Sequence, residues 1–139
     1  VYDGAGIVST ACAQYQMRNI RSLRLVECDG IDYTYKYADR TALDNAMKLR
    51  GDCDNVVIVK DGLITDTSYT NIALYDGSRW LTPARPLLQG TALMRLSGEG
   101  KLTYRDIKAE TVWDYSHIAL FNSMIDFGKL VLPTACVVK

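Results

Sequence analysis

Lysine, aspartate and histidine are the residue types in this sequence whose placement could support covalent or acid–base chemistry. Lys36 stands between Tyr35 and Tyr37. A lysine amine forms a Schiff base once deprotonated, which burial or a neighbouring cation promotes. Its aromatic neighbours, at an expected strand-to-helix junction, suggest a semi-buried place; the competing reading, which residue type alone favours, is an ordinary surface lysine. Asp66 follows the Ile64-Thr65 end of an expected strand. It could accept a hydrogen bond from a protonated ring nitrogen, or serve as an N-cap or turn residue. Gly90-Thr91-Ala92 opens an expected helix after a proline-containing loop, and a helix N-terminus offers free amides and partial positive charge to a phosphate. Asn122-Ser123 follows an apolar run and could offer another hydroxyl and amide to an anion. His117, the single histidine, reads as structural.

These residues need elements to hold them. Two Asp-Gly pairs, Asp61-Gly62 and Asp76-Gly77, each lie between short apolar β-branched runs. Asp-Gly suits a type I′ turn, in which both central residues have positive φ, so each pair predicts a hairpin. Between the hairpins, the polar residues 66–71 fall where one strand gives way to another. Alternation predicts a strand over 23–27, a continuous β-rich run predicts one over 55–60, and further strands are expected over 117–121, 128–132 and 135–138. Residues 38–50 carry a broad apolar face with Arg40, Asp44 and Lys48 on the other, which predicts a helix that stops at Gly51. A second helix is expected from about Gly90 to Leu96. Thr103-x-x-Asp106 loosely matches a capping box, so a short helix is expected after it. Pro83 and Pro86 exclude strand or helix interiors at their positions. Strands with interspersed helices make a mixed α/β or α+β domain.

The totals narrow the class. At 139 residues the chain fits one domain, 1–139, that can bury a core. Lysine plus arginine, 16, equal aspartate plus glutamate, 16, so no basic surplus points to nucleic acid or an anionic membrane. No apolar run approaches the roughly 20 residues that span a bilayer. The four cysteines, Cys12, Cys28, Cys53 and Cys136, are scattered without a C-x-x-C pair, which reads as reduced thiols in a cytoplasmic protein and leaves no expected metal site. The chain starts at Val1 and reads as a fragment or processed product.

Taken in order, Lys36 in Tyr-Lys-Tyr-Ala-Asp-Arg, then residues 64–72 (ITDTSYTNI), Leu81-Thr82-Pro83, Leu88-x-Gly90-Thr91 and Phe121-Asn122-Ser123-Met124 resemble the class IV aminotransferases. These are the fold-type IV pyridoxal 5'-phosphate enzymes, among them branched-chain and D-amino-acid aminotransferases and aminodeoxychorismate lyase. The similarity covers roughly residues 23–133 and corresponds to the family's larger, C-terminal domain, a pseudo-barrel with peripheral helices. Lys36 with Arg40, and Asn122 after the late strand, look most like the lyase branch.

The resemblance implies roles. Lys36 matches the lysine that forms the internal aldimine and then moves the proton between Cα and C4′. Asp66 stands where the family has a glutamate that pairs with the pyridinium nitrogen, and Asn71 matches the asparagine that closes that motif. Gly90, Thr91 and Ala92 match the phosphate-binding helix N-terminus, and Ser123 a second phosphate contact. Tyr69, where many members have a small residue, and Arg40 are expected in the substrate pocket. The implied activity is an aminotransferase or lyase acting on an amino acid or keto acid, as a homodimer. Departures are Asp66 for glutamate, Ala73 for an aromatic, Leu93 for a basic residue with Arg95 off register, and no smaller N-terminal domain. They keep open a degenerate or truncated non-catalytic member, and an unrelated α+β binding domain.

Overall fold

The computed structural model describes residues 2–139. A separate hairpin pairs β1 (Tyr2–Asp3) with β2 (Gly6–Ile7). The remaining elements, in order, are β3 (Leu23–Glu27), α1 (Thr41–Lys48), β4 (Asn55–Lys60), β5 (Leu63–Thr67), β6 (Asn71–Tyr75), β7 (Trp80–Pro83), α2 (Thr91–Gly98), β8 (Leu102–Arg105), β9 (His117–Phe121), β10 (Val131–Pro133) and β11 (Val137–Val138). Turns of 3₁₀ helix occupy Ala109–Asp114 and Thr134–Cys136. One sheet has the order β11-β3-β4-β5 and the other β10-β9-β6-β7-β8. This is the α+β, pseudo-barrel class expected from the sequence.

Each sheet contains a parallel pair that needs a crossover, and a helix supplies it. Strands β3 and β4 run parallel with α1 between them in sequence, and β7 and β8 do so with α2. Strand periodicity then sorts the side chains. Val57 and Val59 of β4 face a core shared with Ile64, Ile72, Leu74, Leu81, Ile118 and Leu120, so the two sheets close on one another. Val56 and Ile58 face the other way and pack with Leu43 and Ala46 of α1. On the far sheet, Ala73 and Phe121 meet Ala92, Leu93 and Leu96 of α2. Strand β4 is therefore covered on both faces, which is why its sequence is an unbroken Val-Val-Ile-Val rather than an alternating one.

The Asp61-Gly62 hairpin has the expected turn, with φ of 52° and 74° at the two residues. Asp76-Gly77 also joins a hairpin, β6 to β7, but not through a type I′ turn. Only Gly77 has positive φ, because the Asp76 carboxylate accepts from the Ser78 and Arg79 amides and closes a four-residue loop. Helix α1 begins three residues later than expected, since the Asp39 carboxylate takes the Thr41 amide at 2.9 Å and fixes the start there. No helix starts at the Thr103 pattern: 102–105 is strand β8, paired with β7, the Asp106 carboxylate binds Arg85 instead of capping, and the short helix that follows is the 3₁₀ segment Ala109–Asp114. Of the expected strand over 128–132 only its end is strand, in β10, and 134–136 is 3₁₀ helix. Pro83 ends β7, where its missing amide breaks no interior ladder.

Phe121 is fully buried between β6 and α2 and lies edge-on to Phe127, ring centroids 5.3 Å apart. Phe121→Ala is expected to lower unfolding free energy by about 3–5 kcal/mol in urea titration; a loss below about 1 kcal/mol would mean that the α2 face is not packed as described.

Candidate functional site

Where β5 leaves one sheet and β6 enters the other, the chain makes a tight polar turn. The Thr67 amide donates to the Thr70 carbonyl at 3.0 Å, and the Thr70 amide to Thr67 Oγ1 at 3.0 Å. Just before the turn the β4–β5 ladder slips. Val57 faces Thr67 and Val59 faces Ile64, so Thr65 and Asp66 together oppose Ile58. This β-bulge bends the strand and re-aims its side chains. Thr65 Oγ1 binds back to the Ile58 carbonyl at 2.8 Å, while Asp66 lines a cleft of about 470 Å³.

Asp66 is neither a turn residue nor an N-cap. It sits in β5, 5% exposed, with Oδ1 accepting from Asn71 Nδ2 and Oδ2 from the Leu88 amide, both at 2.9 Å. Asn71 Nδ2 also donates to the Leu88 carbonyl at 2.9 Å. Among the described residues no cation pairs with Asp66, so burial outweighs these donors and pushes its carboxyl up to about 7.

The Leu88 loop leads into α2. Gly90 caps the helix with no side-chain bond, and Met94 is the residue whose amide reaches back to the Gly90 carbonyl. The preceding first-turn amides thus have no acceptor within the helix. Gly90 is required by close approach: a Cβ there would lie 2.3 Å from Asn71 Oδ1. Asn71 thereby joins the buried acid to the start of α2.

The nine residues expected at the site, Lys36, Arg40, Asp66, Tyr69, Asn71, Gly90, Thr91, Ala92 and Ser123, all line this one cleft. Lys36 is exposed rather than semi-buried, because residues 34–39 run as a loop outside both sheets; among the described residues nothing hydrogen-bonds or ion-pairs with it. Tyr69 is half-buried, with the Arg18 guanidinium 5.0 Å above its ring. Burial raises its hydroxyl, and among the described residues the enclosed hydroxyl oxygen has no hydrogen-bond partner. Ser123 is exposed on a turn that Asn122 organises: Asn122 Oδ1 accepts from the Met124 and Ile125 amides, and Nδ2 donates to the Tyr69 carbonyl. Leu93 faces the core, and Arg95 pairs with Glu99 at 3.1 Å on the exposed side of α2, so neither replaces a basic group at the cleft. His117 is exposed at the start of β9 and outside the lining.

Sequence reasoning missed three contributors, the Leu88 amide, the Ser68 carbonyl and Tyr33. The first two are backbone groups that residue type does not reveal. Tyr33 had only its place in an aromatic-rich stretch as a signal.

No family model matches the chain. A Haemophilus influenzae protein, whose name assigns it no function, is 38% identical over 111 residues, 80% of this chain and 59% of that protein. A solved structure from Haemophilus somnus, provisionally described as a 4-amino-4-deoxychorismate lyase, is 37% identical with a TM-score of 0.78 over 83% of this chain and 59% of its own. At lower identity, a provisionally assigned amino-acid aminotransferase from Mesorhizobium loti matches at TM-score 0.70 and 20% identity, over 82% of this chain and 59% of its own. A Mycobacterium tuberculosis protein described as a hypothetical aminotransferase, in its PLP-bound form, matches at 0.65 and 18%, over 86% and 48%. These last two show a shared fold. The chain thus spans about three fifths of the length of the more similar relatives.

Two outcomes are expected from this geometry. Because the Asp66 carboxyl is raised in the folded chain, its contribution to stability is fully present below its unfolded value of 3.8 and is lost as pH rises to about 7. Over that window the wild type should lose roughly 4 kcal/mol relative to Asp66→Asn in denaturant titrations; parallel pH profiles would contradict it. Gly90→Ala should cost about 1–3 kcal/mol by displacing Asn71 from its two bonds. The same change in an Asn71→Ala background should cost markedly less, and additive losses would exclude the clash.

Proposed function

We propose, starting from the class IV aminotransferase and aminodeoxychorismate-lyase fold that the chain carries, that it is the cofactor-bearing part of a pyridoxal 5'-phosphate-dependent aminotransferase or lyase acting on an amino acid or keto acid. The observation that carries this reading is the convergence on one cleft of an unpaired lysine, a buried carboxyl and an uncapped helix N-terminus.

The donor set fits the cofactor. Asp66 is a buried acid without a cation, and a protonated ring nitrogen would provide one. The amides of Thr91 and Ala92 at the start of α2, behind a glycine with no room for a side chain, suit a phosphate, with Ser123 offering a hydroxyl. When bound, pyridoxal phosphate supplies an electron sink for the bond being broken at the substrate's Cα. Lys36 would hold the cofactor through Nζ, then take and return the proton at Cα. Asp66 would keep the ring nitrogen protonated. Asn71 would hold Asp66 in place and tie it to the Leu88 loop. Tyr69 would narrow the substrate side of the cleft. A homodimer and a cytoplasmic setting go with this reading.

A non-catalytic cofactor-binding module is the second reading, favoured by one observation. Asp66 is a methylene shorter than the family's glutamate, and both its oxygens already accept hydrogen bonds.

Absorption spectra with pyridoxal phosphate, on wild type and Lys36→Ala, test both. A new band in the wild type that the variant lacks, trapped on the Lys36 peptide by borohydride, is the expected result. That band without turnover across a panel of amino acids would favour the second reading. No band in either protein would overturn both.

A further inference from the structure

Lys36 sits in a loop that has few attachments to the sheets. Among the described residues, the hydrogen bonds that tie the span from Ile31 to α1 to the preceding chain and the sheets are the Ile31 amide to the Cys28 carbonyl, Lys60 Nζ to the Ile31 carbonyl, and a contact made by Arg40. Arg40 Nη2 donates to the Ser68 carbonyl at 2.7 Å, and Nη1 to Tyr33 Oη at 3.4 Å. Tyr33 Oη in turn donates to the Tyr37 carbonyl at 3.2 Å. The two ends of this chain of contacts are firmly seated. Tyr33 packs among Val56, Ile58 and Leu87, and Ser68 Oγ donates to Oδ1 of Asn55, which is fully buried. The residues gripped, Tyr33, Tyr37 and Arg40, bracket Lys36 in sequence. Planar guanidinium forks suit such a task, since one rigid group serves two acceptors in fixed directions.

Resting on the reading that Lys36 is the reactive amine, we propose that Arg40 is a positioning residue, the brace that fixes the Lys36 loop to the crossover between the two sheets, rather than a substrate contact. Two of its five N–H donors are engaged, one by the Ser68 carbonyl and one by Tyr33 Oη, which fixes the guanidinium plane against the crossover turn. The same turn that follows Asp66 is thus tied to the loop that carries Lys36, so amine and acid are set relative to one another through Arg40. A displacement of about an ångström is enough to cost large factors in reactivity.

The test compares wild type, Arg40→Met, Arg40→Lys and Tyr33→Phe. Pyridoxal phosphate with borohydride labels lysines, and peptide mapping gives the ratio of labelling at Lys36 to that at Lys129 within each molecule. Arg40→Met should lower this ratio roughly tenfold. Arg40→Lys, which keeps one donor for the Ser68 carbonyl, should recover part of it, and Tyr33→Phe should lower it by a smaller factor. A merely stabilising role would lower the melting temperature and leave the ratio unchanged. An unchanged ratio in Arg40→Met and Tyr33→Phe, with wild-type circular dichroism, overturns the proposal. Amide exchange over residues 34–41 gives a reading that needs no cofactor. It should accelerate in Arg40→Met, or in Tyr33→Phe if the first variant does not fold, and unchanged exchange also overturns the brace. If Lys36 is not labelled in the wild type, the proposed cofactor chemistry fails, and exchange alone decides for or against the brace.

Discussion

A carboxylate buried at a sheet-to-sheet crossover is the constraint from which the cleft is built. Asp66 cannot be enclosed without donors, and the fold provides one from β6 and one from the loop before α2. Satisfying it therefore draws three separate stretches of chain together. Asn71 is seated by its bonds to Asp66 and to the Leu88 carbonyl, and in turn leaves room at residue 90 for glycine alone. An acid that would be a liability in an ordinary core thus acts as the meeting point of the strand end, the loop and the helix start.

The wider architecture serves that meeting point by symmetry of means. Each sheet contains a parallel pair bridged by one helix, β3 with β4 through α1 and β7 with β8 through α2, and each helix covers the outer face of its own sheet. The loop entering α1 carries Lys36, and the loop entering α2 presents its amides, so both helix starts face the cleft. Among the described residues no helix is long and apolar enough to cross a membrane. The fold is that of the class IV aminotransferases and aminodeoxychorismate-lyase-like proteins.

What the sequence made legible was what depends on neighbours along the chain. The Asp61-Gly62 turn and the continuous apolar run of β4 are local statements with one physical solution each. Asp76-Gly77 was half legible: the hairpin followed, but the turn type depended on where the Asp76 carboxylate found amides. The segment after Thr103 was misread because a capping pattern is local, whereas the pairing of β8 with β7 joins residues more than twenty positions apart. Lys36, Asp66 and the α2 start were recognisable as chemistry-bearing residues, yet their convergence required the crossover. The exposure of Lys36 is what residue type alone favoured, whereas the engagement of Arg40 with a carbonyl had no sequence signal.

The bulge between β4 and β5 carries a consequence for how this site can change over time. Side-chain direction along a strand is a matter of parity, and here two residues share the space opposite one. The direction in which Asp66 emerges is therefore set by how many residues lie between the Asp61-Gly62 turn and the crossover. Substitutions at those positions leave that number intact, whatever they do to packing. Gain of a single codon alters it, and would reverse the facing of the acid while leaving every named residue present. Alignments that preserve residue types across this segment but shift their spacing would then describe proteins with the same letters and a different site.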